Sequence, residues 1–174
     1  MTTYNTPQET GGDRSGEQTL HTLISRLSDP DKGVRAEAMH GLVRIGEPAV
    51  PSCIALLRDD EWRVRYRAAE ALGFIGDGEA YAPLTAALGD EKDHVRYMAA
   101  KGLGLLGDPR AVECLQGMQR DENEFVRRSA ARSLGKIGGA DALRALRSAL
   151  EDEADGGVRE VIIAALRDAG EGEI

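Results

Sequence analysis

Apolar and polar positions along this chain fall into one recurring phrase. It reads VRAEAMHGLVRIG from Val34, VRYRAAEALGFIG from Val64, VRYMAAKGLGLLG from Val95, VRRSAARSLGKIG from Val126 and VREVIIAALRDAG from Val158, at spacings of 30, 31, 31 and 32 residues. Stepped at about 100° per residue from its Val, the phrase places the residues at +4, +5, +8 and +11 on one apolar stripe roughly 140° wide. That is the pattern of a helix with one buried face. Each phrase closes on a Gly at +12, namely Gly46, Gly76, Gly107, Gly138 and Gly170. A helix end that turns into the left-handed region favours Gly, so five stop signals are expected there.

A second apolar-periodic segment precedes each phrase: LHTLISRL from Leu20, AVPSCIALL from Ala49, EAYAPLTAAL from Glu79, RAVECLQGM from Arg110 and DALRALRSAL from Asp141. Pro48 and Pro109 stand where a helix start tolerates a missing N–H. Pro51 and Pro83 lie about a turn further in and are expected to shift or bend that start. Between the two segments of each unit stands an Asp (Asp29, Asp59, Asp90, Asp121 and Asp152) able to accept from open N–H groups where the second helix begins. The expected fold is all-α, with five antiparallel helix pairs over residues 17–170, divided near 17–46, 47–76, 77–107, 108–138 and 139–170. No pair buries its apolar faces alone, so neighbours must stack. Residues 1–16 are polar and aperiodic and are expected to form a flexible tail, with a second short tail at 171–174.

The phrase D-x-x-x-x-V-R-x-x-A-A-x-A-L-G-x-I-G resembles the HEAT repeat, in the short form called the phycobilisome-lyase HEAT-like repeat. The likeness runs over nearly all of 17–170 and is strongest in the middle three units. The resemblance implies an α-solenoid with the first helices on the convex side and the second helices lining the concave side. It further implies a ladder joining successive units, built from the acids Asp29, Asp59, Asp90, Asp121 and Asp152 and the arginines Arg35, Arg65, Arg96, Arg127 and Arg159. It implies no single activity: the repeat serves mainly as an interaction scaffold, and bilin lyases give it its name. A HEAT-repeat enzyme family, the deoxyhypusine hydroxylases, binds iron through His-Glu dipeptides, and this sequence contains none.

Composition narrows the function classes. The 174 residues carry a formal net charge of −8, so general coating of nucleic acid is disfavoured. No apolar run approaches the roughly 20 residues of a membrane span, and the N-terminus lacks the basic start and apolar stretch of a secretion signal. A cytoplasmic location is expected. Cys53 and Cys114 fall two units apart, too far for a bridge between neighbouring helices, and read as small buried apolar residues. His21, His40 and His94 lie in different units with no ligand spacing, and GLGLLG at Gly102 ends a helix instead of opening one after a strand. No catalytic constellation, metal site or cofactor is expected.

The informative positions are those the scaffold leaves free: −2, −1, +2, +3, +6 and +10 on the second helix, at about 160° to 300° from the Val. Of the seven aromatic residues in the chain, Trp62, Tyr66, Phe74, Tyr97 and Phe125 fall in this set. In the middle three units it also holds six basic and three acidic residues. The expected partner-binding face therefore comprises Trp62, Arg63, Tyr66, Arg67, Phe74, His94, Tyr97, Met98, Lys101, Phe125, Arg128 and Arg132. Large amphipathic side chains beside cations suit a protein or peptide of acidic or amphipathic character. A merely solvated helix face is the competing reading. Nucleic-acid binding on the same trough, or a bilin lyase or isomerase subunit as the family name implies, are alternative functions. Both ends of such a stack are open to self-association.

Overall fold

A computed structural model describes residues 12–170 of the chain. Ten α-helices and no strand occur among the described residues: α1 (Gly12–Ser25), α2 (Lys32–Ile45), α3 (Val50–Leu56), α4 (Trp62–Ile75), α5 (Tyr81–Ala87), α6 (Asp93–Leu106), α7 (Ala111–Met118), α8 (Glu124–Ile137), α9 (Gly139–Asp152) and α10 (Gly156–Asp168). They pair in chain order as five units, and the chain is an α-solenoid. The first helix starts at Gly12, inside the segment expected to be a tail. The rest of that expected tail and the one at 171–174 lie outside the described residues.

Local sequence explains the ends of the helices. Short 3-10 turns at Glu47–Ala49 and Gly78–Ala80 lead into α3 and α5, so Pro51 and Pro83 both fall in a first helical turn, where no N–H is missed. Gly46, Gly76, Gly107 and Gly138 cap α2, α4, α6 and α8 with φ between 67° and 78°. No non-Gly residue has positive φ among the described residues, so the phrase-ending glycines carry every reversal of this kind together with Gly139. In the fifth unit Ala169 is the cap and Gly170 follows it at φ 95°.

The core runs continuously through the stack. Leu42, Leu72, Leu103, Leu134 and Leu166, all at the +8 position, are fully buried, and Leu27, Cys53, Leu84, Leu115 and Leu146 meet them from the first helices. The closest approaches lie between successive second helices. A Cβ on Gly73 would stand 2.7 Å from the Gly102 Cα, and one on Gly104 would stand 2.7 Å from the Ser133 Cα. A Cβ on Gly135 would meet the Ala165 backbone at 3.0 Å. The small residue at +9 of one unit thus faces the small residue at +7 of the next. Ser129 and Ser133 donate their hydroxyls across this seam to the Tyr97 and Ala100 carbonyls at 2.9 and 2.8 Å, so no polar group is stranded there. The first helices stand further apart from one another. Tight spacing on one side and loose spacing on the other bends the stack toward the second helices, which puts them on its concave side.

A ladder of ion pairs crosses the same joints. Arg65 bonds Asp90 through Nε and Nη2 at 2.7 and 2.9 Å, Arg96 bonds Asp121 at 2.7 and 3.0 Å, and Arg127 bonds Glu153 at 2.7 and 3.2 Å. Each of these arginines also donates Nη1 to two loop carbonyls of its own unit, as Arg96 does to Asp90 and Glu91. The acids in turn accept the backbone N–H two residues on, at Lys92, Asn123 and Asp155. In the fifth unit Glu153, not Asp152, holds the rung. The extra residue before Val158 lets α9 run through Asp152, and the acid one place later takes the loop position. The outer arginines differ as well. Among the described residues Arg35 holds only the Asp29 and Pro30 carbonyls of its own loop and does not reach Asp59, while Arg159 holds the Leu150 and Glu153 carbonyls.

Two predictions follow from the joints. Gly104→Ala, a change that in an isolated helix stabilises by about 1 kcal/mol, here forces α6 and α8 apart and lowers stability by about 2 kcal/mol in urea unfolding. Gly117→Ala, whose Cβ would meet nothing within 4 Å, raises it by about 0.5 kcal/mol. For the ladder, burial opposes the Asp90 charge but is outweighed by the bonds from Arg65 and the Lys92 N–H and by the Arg65 and Arg96 charges, so its folded pKa is lowered. A lowered folded pKa stabilises above the unfolded value and loses that contribution as pH falls below about 4. Urea midpoints measured from neutral pH down to about pH 3 should therefore drop for the wild type and drop less for Asp90→Asn.

Candidate functional site

The second helices present a ridge whose exposure follows the helical wheel. The outermost positions are −1, +6 and +10, which carry the exposed Arg63, Phe74, His94, Phe125 and Arg132 and the partly covered Lys101. Phe74 and Phe125 are the large hydrophobic residues most exposed among those described, at 49% and 56%. Trp62, Tyr66 and Tyr97, at −2 and +2, are half-buried on the flank of each helix. The +3 position does not belong to this face. Met98 is 1% exposed and lies in the core, because +3 turns toward the preceding second helix, the side on which Ser129 reaches Tyr97. Arg67, also at +3, is largely covered and pairs with Glu70.

Three consecutive second helices bring their aromatic residues together. Tyr66 from α4, Asp93, His94 and Tyr97 from α6, and Asn123 and Phe125 from the start of α8 line an open, mostly apolar cup of about 320 Å³. At its edge the Trp62 and His94 rings meet with centroids 5.0 Å apart and planes tilted by 48°. The polar part of the lining is an internal network. Asp93 Oδ1 accepts from the His94 N–H and lies 2.7 Å from His94 Nδ1, and Asp93 Oδ2 accepts from Asn123 Nδ2 at 2.5 Å. Asn123 meanwhile caps α8 by accepting from the Phe125 and Val126 N–H groups. The His94 bond holds the Asp93 carboxyl below the usual carboxylate range. Burial pushes the Tyr66 phenol up, so it is a neutral ring at pH 7.

Charge on this face divides along the helix axes. Arg63, Arg67 and Arg128 stack on Trp62, Tyr66 and Phe125 at 4.8, 5.3 and 5.5 Å from the ring centroids. Each also has an acid: Glu61 for Arg63, Glu70 for Arg67, and both Glu124 and Asp155 for Arg128. Arg128 Nε is buried without an acceptor, so these contacts alone hold its guanidinium. Close to the cup the three guanidiniums stand beside the carboxylates of Glu61, Asp93, Glu124 and Asp155, and Glu70 lies further along α4 at the +6 position. At the same +6 position in the next two units, Lys101 lies 5.4 Å over Phe74 and Arg132 is exposed, and neither has a carboxylate partner among the described residues. The face, expected to carry six basic and three acidic residues, gathers further acids at the second-helix N-termini, Glu61 and Asp155 among them.

Three of these groups escape the sequence reading. Asn123, Glu61 and Asp155 all sit at −3, the cap position of the second helix, one place outside the arc taken as the binding face. The signal was available: Asp or Asn at −3 in three of five units is an N-cap signature. Away from the face, Cys53 and Cys114 are free thiols, and burial pushes the Cys53 thiol up to about 11.

Comparison with known proteins agrees with the geometry. HEAT repeats match residues 20–96 and 82–167, which together span most of the chain. The chain belongs to the HEAT-repeat family. Among solved structures, the complex of CpcE and CpcF of phycocyanin lyase from Nostoc sp. PCC7120 matches this HEAT-repeat protein with a TM-score of 0.79 and 27% identity, over 86% of this chain and 98% of that one. The repeats are of the phycobilisome-lyase type. Human deoxyhypusine hydroxylase matches with a TM-score of 0.60 and 25% identity, over 92% of this chain and 66% of the other. A designed armadillo repeat protein in complex with the peptide (KR)4 shares the fold, with a TM-score of 0.60, 20% identity and coverage of 92% and 88%. No curated protein sequence matches the chain. No helix among the described residues is long and apolar enough to cross a membrane.

Proposed function

We propose that this HEAT-repeat solenoid is an interaction scaffold that holds a protein or peptide partner on the second-helix face of its second, third and fourth units. The observation that carries this reading is the convergence of Tyr66, Tyr97 and Phe125, from three different helices, on one open cup. A solvated face has no reason to gather large rings, whereas a binding surface uses them as anchors. Acidic side chains of the partner belong at Lys101 and Arg132, which have no carboxylate partner among the described residues. Asp93 in the cup lining, with Glu61, Glu124 and Asp155 near it, argues against a nucleic-acid strand lying there.

The match to the phycocyanin lyase complex supports a second reading, in which the chain works as one subunit of a bilin-handling pair. Bilin added to the protein would then develop a shifted and sharpened visible absorbance band, and an unchanged spectrum contradicts that reading.

For the scaffold, the test is affinity capture from a lysate of the source cell with mass spectrometry. Tyr97→Ala combined with Arg132→Glu is expected to retain the helical circular dichroism of the wild type and to lose captured partners by about tenfold or more. Undiminished capture by that variant removes the assignment of this face.

A further inference from the structure

Two neighbouring second helices, α6 and α8, give the proposed face an order along their axes. At their N-terminal ends lies the cup, with Tyr97 and Phe125 in its wall. Beyond it come Lys101 on α6, then Arg132 and Lys136 on α8, and none of the three has a carboxylate partner among the described residues. The two helices contain one acid each, Asp93 and Glu124, and both stand in the first turn. On the flanking helices Glu70 of α4 is held by Arg67, and Asp168 of α10 is exposed at +10. At the +6 and +10 positions from α4 to α10 three cations therefore stand with two acids, and one of those acids is already paired.

The cup itself favours a neutral group. Both Asp93 oxygens are engaged, Oδ1 by His94 and Oδ2 by Asn123, and Asn123 Oδ1 accepts from the α8 cap. The Tyr66 and Phe125 rings already carry the Arg67 and Arg128 guanidiniums. The Tyr66 and Tyr97 hydroxyls can each donate or accept, so they favour neither sign of charge. An apolar side chain gains by covering the rings. A helix rises about 1.5 Å per residue, which puts the +6 cations about 8 Å and Lys136 about 14 Å along the axes from the cup. An extended chain covers those distances in about two and about four residues.

We propose that an extended partner segment lies along the α6–α8 pair, parallel to the helix axes, with a neutral apolar side chain in the cup and carboxylates about two and about four residues from it, the far one held by Lys136. The inference rests on the scaffold reading and deepens it by fixing the partner's chemistry and register. Lys136 separates this arrangement from a segment that crosses the units at the level of the cations. A crossing segment would run past Phe74 to Arg44, which is also an exposed cation at +10 without a carboxylate partner among the described residues. Lys136 and Arg44 thus share a helix position and differ in unit.

The test uses Gly/Ser peptides that carry one Phe and two Glu, with the Glu two and four places after the Phe or two and four places before it. Trp62, the single Trp of the chain, stacks on His94 at the cup and reports binding by its fluorescence. The better of the two orders is expected to bind about tenfold more tightly than the same peptide without its Phe or without its Glu residues. Lys136→Glu should weaken it about tenfold, and a peptide with Lys in place of the far Glu should recover the loss. Arg44→Glu should leave binding unchanged, and both variants should keep wild-type circular dichroism. No binding by either order, equal binding without the Phe, or Lys136→Glu having no more effect than Arg44→Glu overturns the proposal. An oligothymidine strand that binds as tightly as the peptide also overturns it. None of these outcomes bears on the scaffold reading, which is judged on capture by the Tyr97→Ala, Arg132→Glu variant.

Discussion

In each of the middle units one arginine ties its own inter-helix loop to the acid of the next. The guanidinium of Arg96 holds the Asp90 and Glu91 carbonyls with Nη1 and grips both oxygens of Asp121 with Nε and Nη2. Asp121 in turn receives the Asn123 N–H and so shapes the entry to α8. A rung therefore fixes a loop, a joint and a helix start at once. Side chains this well covered are not exposed ion pairs of marginal worth. Removing one partner strands a buried charge, which costs about 3 kcal/mol or more. Small residues at +7 and +9 complete the joint by letting adjacent second helices come within backbone contact, as at Gly73 and Gly102.

The face follows from these joints. With second helices drawn together and first helices apart, −1, +6 and +10 point into the hollow of the stack, and +2 comes to lie on the flank between neighbours. Tyr66, Tyr97 and Phe125 line one cup only because three helices arrive in register. The helix axes supply a further asymmetry. Glu61, Asp93, Glu124 and Asp155 lie at the second-helix N-termini, where the backbone favours them, and Glu70, Lys101 and Arg132 lie about two turns further along.

Much of this was written in the period. The spacing of Val34, Val64, Val95, Val126 and Val158, the glycines at +12 and the loop acids lead directly to five helix pairs and to the ladder in the middle units. The fifth rung was misplaced because the extra residue there allows two neighbouring acids, Asp152 and Glu153, and only the length of α9 decides between them. Met98 was assigned to the face because the wheel puts +3 on the edge of the free arc. The wheel carries no knowledge of where the preceding helix stands. The acids Glu61 and Asp155, at the −3 cap position, pair with Arg63 and Arg128 but lie outside the arc counted along the sequence, so that count overstated the basic character of the face. The seam glycines looked like ordinary small core positions, and their role appears only when the facing helix is in place.

The account stands on the joints setting the geometry of the face, and ring-to-ring nuclear Overhauser contacts measure that directly. In the native protein, contacts are expected between the Trp62 and His94 rings and between Tyr97 and its neighbours Tyr66 and Phe125. In Arg96→Gln, with helical circular dichroism retained, the contacts across the α6–α8 joint, Tyr97 to Phe125, should weaken, while those across α4–α6 persist. Contacts absent from the wild type, or unaltered by loss of the rung, contradict the account.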